Sequence, residues 1–589
     1  MGDGCAVRYN TDMRPYAKKA YIAIALSLVF TLCFAGSLHA DTKPGRQVLT
    51  DEEVFRLGER IYREGLLPSG KPLEAIVSGD VMVEGTMFSC ASCHLRSGLG
   101  SFEGQVFSPP VNGRSLFMLH GNIPERVTYD DLLRFPPFIR PTVRKTPYTE
   151  KTLAEALRGG FSPSGREFNN AMPRYILSDE DMDVMVRYLR KLSGDLSPGV
   201  TPKEIRFATV IAGEVSREDK ELLLTAVRSV VAGYNTRPEL VMRLRREAAQ
   251  KRRTGRVTHE GEEDRTVRTM TLDVWELKGP PPTWRGQLEE LYRNKPVFGI
   301  LSGISNADWS PVHKFCEQHQ IPSLLPLTDY PVVSETDWFT LYLSKGFFQE
   351  GEAAARYLLA EGNLPPDSEV VQVYRSTPGA KALADGFRSV WEQAGGRLPA
   401  EVIVADNENI DNAFWRRIYS GRPPAAIMFW NAAPDLSSLK HLSLQPGGVP
   451  KVFVSYGLLR EKTFEIPASA RPNIYITYPY DTSFENRLSA MEMPWFTRPI
   501  PQDRTDRFAM IATIREILAD IFMDFDRYYY RDYLLDIVGM MQDKSNMIPL
   551  YPRVSFGPGQ RYAVKGCHVV QLESGDSERL IRKSDWLTN

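Results

Sequence analysis

Cys90-Ala91-Ser92-Cys93-His94 constrains what this chain can fold into more than any other feature. Cysteines at this spacing place two thiols where they bond a haem's vinyl groups, and the imidazole that follows ligates the iron. The single copy predicts one covalently attached haem c, anchored by Cys90 and Cys93 with His94 as the proximal ligand. Zinc would need four ligands, and no second Cys pair or Cys/His cluster stands nearby. A thioredoxin-like site is disfavoured as well, because the motif lies in a glycine-rich stretch (Gly98, Gly100, Gly104) and does not follow a buried strand. A unit built on this motif is expected to be small and loop-rich, with the haem filling much of its core.

Iron held by one imidazole needs a sixth ligand, and a thioether favours the ferrous state and raises the potential. Met172 is the candidate, in the irregular run Asn169-Asn170-Ala171-Met172-Pro173-Arg174-Tyr175, where a loop can turn the side chain inward and Pro173 fixes the chain direction. Met118 and His120 are the alternatives, whereas Met182 and Met185 fall on a helical apolar stripe and read as core.

The N-terminus supplies a compartment that suits this chemistry. Arg14, Lys18 and Lys19 precede the apolar run 20–35, and Leu38-His39-Ala40 then leads into Asp41-Thr42-Lys43, the layout of a secretory signal over residues 1–40. Localisation is expected to be periplasmic, with a membrane involved only if the signal stays uncleaved as an anchor. Of six cysteines, Cys5 and Cys33 fall in the signal and two hold haem, leaving Cys316 and Cys567 either paired or as two buried free thiols. A net charge of −1 argues against a nucleic-acid partner.

At 589 residues the chain is too long for one core. Thr50-Asp51-Glu52-Glu53 reads as a capping box opening a helix with Val54, Leu57, Gly58, Ile61 and Tyr62 on one face. Ser178 opens a second helix carrying Met182, Met185, Val186, Leu189 and Leu192. These two helices bracket a first unit over 50–193, followed by a linker over 194–203 that contains Pro198, Gly199 and Pro202. From 204 to 589 short apolar strands (205–211, 297–301, 369–374) alternate with amphipathic helices (219–234, 311–319, 380–394), which predicts α/β lobes with doubly wound parallel sheets. The mixed-charge run 244–268 reads as a solvated insertion.

Two resemblances follow from these residues. Leu153-Ala154-Glu155-Ala156-Leu157-Arg158-Gly159-Gly160, Ser164-Gly165-Arg166, Ala171-Met172-Pro173 and Leu177-Ser178-Asp179-Glu180-Asp181, taken with Cys90–His94, resemble a class I (monohaem, His/Met) cytochrome c. The resemblance implies a small all-α domain in which Pro109 or Pro110 accepts the hydrogen bond of the proximal imidazole. Residues 204–589 are similar to type I periplasmic binding proteins of the branched-chain amino-acid receptor group. The likeness rests on Gly299–Asn306, Ile321–Pro326, Phe556–Tyr562 and Gly566–Leu572.

The second resemblance implies a solute held between two hinged lobes at the carboxyl ends of parallel strands. It points to Ser302, Ser305, Asn306, Thr328 and Asp329 on one lobe, and to Arg375, Ser376, Trp430, Asn431 and Tyr456 on the other. Receptors of that group bring a second-lobe carboxylate to the ligand's ammonium, but Val454-Ser455-Tyr456-Gly457 supplies none, and Ser376-Thr377-Pro378-Gly379 lacks their tyrosine. The expected ligand is therefore a small acid or neutral molecule other than an amino acid, with Arg375 as partner of a carboxylate.

The leading functional expectation is a periplasmic electron-transfer protein. It would exchange single electrons with redox partner proteins, cytochromes or a dehydrogenase, with both axial positions filled and no enzymatic role. The alternative is a solute-binding receptor like the substrate-binding components of ABC transporters, in which the haem is auxiliary or redox-sensing.

Overall fold

The computed structural model describes residues 49–103, 106–118, 146–251, 268–334, 336–362, 369–445, 448–484, 495–496, 505–525, 528–541, 550–575 and 577–588. The signal over 1–40, His120 and most of the 244–268 insertion lie outside the described residues.

The first helix, Asp51–Glu64, opens on the predicted capping box, with Thr50 and Glu53 bonding each other's backbone N–H. It closes on Gly65 in the left-handed conformation. It crosses the helix Asp179–Lys191 at Gly58, where an added Cβ would stand 2.3 Å from Tyr188 Cβ. The missing side chain lets the two backbones approach, and Ile61, Tyr62, Met185, Tyr188 and Leu189 close the core around the crossing.

This first unit is not all-α, which corrects the sequence expectation. β1 (Glu74–Val77), β2 (Val81–Glu84), β3 (Ser101–Glu103), β4 (Val106–Ser108) and β5 (Arg174–Ile176) add an antiparallel sheet in the order β2-β1-β5 and a β3-β4 hairpin. Ser78 and Gly79, both at positive φ, turn β1 into β2. Ala75, Val83 and Tyr175 share a register row, and the Ala75 and Tyr175 side chains of that row are buried in the core.

The rest is two α/β lobes. β6 (Glu204–Ala212), β7 (Thr269–Leu277), β8 (Gly299–Ser305), β9 (Ser323–Leu324), β10 (Leu327–Thr328) and β11 (Thr340–Leu341) form a parallel sheet in the order β11-β9-β8-β6-β7, with β10 on β8. The helix predicted over 219–234 extends over Arg217–Lys251.

The second sheet comprises β12 (Val370–Arg375), β13 (Ala400–Val404), β14 (Ala426–Phe429), β15 (Lys451–Ser455), β16 (Ile474–Tyr478), β17 (Gly566–Leu572), β18 (Leu580–Arg582) and β19 (Leu587–Thr588). β13-β12-β14-β15-β16 run parallel, and β17 and β18 close the edge antiparallel. Every residue of β8, β14 and β17 is buried, as a sheet covered on both faces requires. Among the described residues no helix is long and apolar enough to cross a membrane.

Candidate functional site

Cys90–His94 forms one short helical turn after Ser89. Cys90 is buried with its Sγ 3.7 Å from the Tyr175 hydroxyl, and burial pushes its thiol up to about 11. Cys93 is exposed. His94 is buried, and its Nδ1 lies 2.8 Å from the Pro109 carbonyl. A carbonyl can only accept, so Nδ1 carries the hydrogen and Nε2 presents its lone pair. Burial holds the imidazole below its usual pKa, against the opposing pull of the Pro109 bond.

The residue after His94, Leu95, sits at φ 61°, ψ 167°, a region that is essentially glycine's and costs about 1–3 kcal/mol elsewhere. The Tyr62 hydroxyl donates to its carbonyl at 2.8 Å and pins the conformation.

Met172 is half-buried in a turn closed by its own N–H on the Asn169 carbonyl (2.9 Å), and it packs against the same apolar cluster that contains Cys90. The Arg174 guanidinium donates back to the carbonyls of Met172 and Phe168. Met182 and Met185 are core side chains of the last helix, and Met118 is exposed. A thiol pair on one turn, an imidazole with its outer nitrogen turned by a carbonyl and a thioether beside the same core make a donor set that fits a covalent haem.

The second candidate site lies at the carboxyl ends of the parallel strands, where each predicted residue now has a place. Ser302 is fully buried at φ 54° within β8, donating to the Leu325 carbonyl at 2.8 Å where β8 shifts register against β6. It is a core residue. Trp430 is 1% exposed and donates to the Gln372 amide oxygen at 2.9 Å, so it too belongs to the core. Asn431 is buried, bonding the Arg375 N–H and the Val373 carbonyl.

Arg375 does not offer itself to a ligand. Its guanidinium is forked onto Asp435 (2.8 and 2.9 Å) and also donates to the carbonyls of Ala405 and Glu408. Ser305 closes a local turn on Ala307, Asn306 donates to the Glu214 carbonyl, Thr328 accepts from the Tyr330 N–H, and Ser376 is exposed.

Asp329 and Tyr456 are brought together, through residues that sequence reasoning missed. Arg460, at φ 52° after the short helix Tyr456–Leu459, reaches from the second lobe to Asp329 of the first (3.3 Å). The same guanidinium donates to Asp506 (2.8 Å) and to the Tyr480 hydroxyl (3.2 Å). Tyr456, Tyr478 and Tyr480 pack edge to face as a wall beside it, with centroids 4.7 to 5.8 Å apart, but Tyr478 and Tyr480 are buried in the core and Tyr456 alone is half-buried. Arg460 is already paired with two carboxylates, and its long Asp329 contact, about a third exposed, is the place where a small acid can exchange with a protein carboxylate beside Tyr456.

Below this wall, Glu350 accepts from Ser455 Oγ (2.8 Å), Thr477 Oγ1 (2.8 Å) and the Gly457 N–H (3.3 Å). A side chain at 457 would displace the Glu350 carboxylate, since a Cβ there would stand 2.2 Å from it and 2.9 Å from Phe347 Cε1. The second lobe thus does bring a carboxylate to this loop, from the helix Phe347–Glu361, but buried beneath it. Arg460 was within reach of a reading that followed β15 four residues past Tyr456. Cys316 and Cys567 are buried free thiols, one in the helix Ser310–Gln318 and one in β17.

Residues 266–480 match a family model described as periplasmic binding protein, and the parallel-sheet lobes are those of that fold. Solved structures that this chain is similar to include a fatty acid ABC transporter substrate-binding protein from Thermomonospora curvata (14% identity, 67% of this chain and 95% of that one, TM-score 0.40). A branched chain amino acid ABC transporter from Thermus thermophilus with bound valine shares 10% identity over 66% of this chain and 97% of that one, TM-score 0.41. A solute binding protein from R. palustris in complex with 4-hydroxybenzoate shares 15% identity over 65% and 96%, TM-score 0.42. No curated protein matches the sequence.

Proposed function

We propose that this chain is a two-lobed solute-binding receptor of the periplasm, serving uptake or sensing, whose N-terminal unit carries one haem c as an auxiliary or redox-sensing group. The observation that carries the receptor reading is Arg460 reaching across the cleft to Asp329 beside the tyrosine wall, in a chain whose residues 266–480 match the binding-protein family. The favoured ligand is a small organic acid with an apolar or aromatic body. Arg460 takes the role expected of Arg375, because its contact to Asp329 is long (3.3 Å) and about a third exposed, a place a ligand carboxylate can take, whereas Arg375 is forked onto Asp435 and two carbonyls.

Cys90 and Cys93 would anchor the haem, and His94 and Met172 would ligate its iron. When bound, the group supplies a one-electron couple. Pro109 orients the imidazole by holding its Nδ1 hydrogen, and Tyr62 fixes the backbone just behind it. A second reading, an electron carrier between periplasmic redox proteins, is favoured by this His/Met donor set, and neither reading makes the chain an enzyme.

Melting of the full chain against aromatic acids, short organic acids, alcohols and amino acids tests the receptor reading. A true ligand at a hundredfold excess over its Kd stabilises by about 2.7 kcal/mol. Arg460→Lys, which keeps the charge and loses the fork, is expected to weaken an acid's effect at least tenfold. Tight binding of leucine or valine would overturn the ligand class. No stabilisation by any of the panel, with fast haem reduction and oxidation by periplasmic cytochromes, would favour the carrier.

A further inference from the structure

The chain directly behind the haem motif is held from the receptor part of the molecule. Asp536, on the helix Arg531–Gly539, accepts the backbone N–H of Arg96 (3.1 Å) and of Ser97 (3.0 Å), one on each carboxylate oxygen. These residues follow His94 by two and three positions. The Arg96 guanidinium lies over the Trp338 ring at 4.2 Å and at ion-pair distance from Asp532 (3.5 Å), which also accepts from Arg63 (2.6 Å). Leu99 is 3% exposed and belongs to the same core cluster as Ile205 and Phe298 of the first lobe.

The helix that carries Asp536 is itself fixed to the first lobe. Arg531 at its start donates to the carbonyls of Val297, Phe298, His319 and Gln320. From the haem unit's own side, Tyr62 holds the Leu95 carbonyl and Ser193 Oγ donates to the Ser97 carbonyl at 2.7 Å.

We propose that Asp536 is a positioning residue for the haem, fixing the His94 loop through the Arg96 and Ser97 N–H groups and thereby making the haem's potential and coordination depend on docking to the first lobe. The geometry favours this over a tethered, independent haem unit because the strained Leu95 conformation lies between the ligand and the two clamped N–H groups. Releasing the clamp lets that strain relax into the ligand loop. This inference rests on the haem reading above.

The test uses the full haem-loaded chain with Asp536→Ala and Asp536→Asn. In Asp536→Ala, amide hydrogen exchange across 95–100 is expected to rise at least tenfold. The reduction potential should move upward as a nearby buried negative charge is lost, and the weak near-infrared band of His/Met haem should broaden or diminish. Asp536→Asn keeps one acceptor, so it should retain protection of one of the two amides while still raising the potential.

Faster exchange in Asp536→Ala with potential and band unchanged would reduce the contact to a structural one and overturn the proposal. So would unchanged exchange. If Asp536→Ala does not fold, an unchanged potential in Asp536→Asn overturns it equally. A denatured wild-type chain that retains no covalent haem overturns the haem reading itself, and the exchange measurement then reports on docking alone.

Discussion

Glu350 shows how one buried carboxyl couples the cleft to pH. Burial dominates over the bonds from Ser455, Thr477 and Gly457 and over the attraction of Arg460, and pushes its pKa up to about 7 from an ordinary value near 4.5. Cys567 is the other titratable group that feels it. The folded chain therefore binds this proton more tightly than the unfolded chain. The resulting stability is fully present below about pH 4.5 and is lost as pH rises through about 7. Glu350→Gln removes the ionisation while keeping an acceptor for Ser455 or Thr477. Melts from pH 4.5 to 8 should show the variant gaining on the wild type with rising pH, by up to about 3 kcal/mol. Parallel curves would mean that Glu350 does not titrate in this range. On the proposed haem reading, Met172→Ala is expected to remove the near-infrared band and lower the reduction potential, and an unchanged spectrum would move the sixth ligand to Met118 or His120.

The crossing of helices Asp51–Glu64 and Asp179–Lys191 depends on one missing side chain. A methyl at 58 meets Tyr188 at 2.3 Å, so Gly58→Ala should destabilise the first unit by about 1–3 kcal/mol, read as a lower urea midpoint for loss of amide protection across 51–64 and 179–191. These helices were legible in the sequence because capping and apolar periodicity are local signals, and the same holds for β6, β12 and the helices after them. The β2-β1-β5 sheet was not, because β1 and β2 are four-residue, half-exposed strands and the pairing of β1 with β5 spans about a hundred residues. The cleft was legible only as a set of strand ends. Trp430 follows β14 without leaving the core, and the partner that engages Arg375 lies 60 residues away, so neither fate is written near the residue concerned. The haem motif is the opposite case, since all three of its side chains lie within one helical turn.

Across the whole molecule, the N-terminal unit is fastened to the first lobe, while the second lobe meets the first through adjacent crossing segments and the cleft. Tyr342 and Leu343 run beside Arg561–Val564, bonded by Tyr342 N–H to Arg561 O, Ala563 N–H to Tyr342 O and Val564 N–H to Leu343 O. Adjacent crossings of this kind absorb rotation in a few residues and suit hinge closure. The Asp329–Arg460 pair then bears on how closed the lobes rest. Both side chains are about a third exposed, so the pair contributes little to global stability, about 1 kcal/mol or less. It can still bias an open–closed equilibrium of similar size. Asp329→Ala should therefore leave the melting temperature nearly unchanged, while the radius of gyration from small-angle scattering rises in the absence of solute and returns to the wild-type value at saturating ligand. Arg460 keeps its bond to Asp506 in that variant, and Asp506 opens the helix Thr505–Asp524 that packs on the first lobe through Phe522 against Phe207 and Arg237, so the double variant Asp329→Ala/Asp506→Ala should give the larger rise. An unchanged radius in the double variant would show that the crossing segments alone set the closure and that both pairs are bystanders.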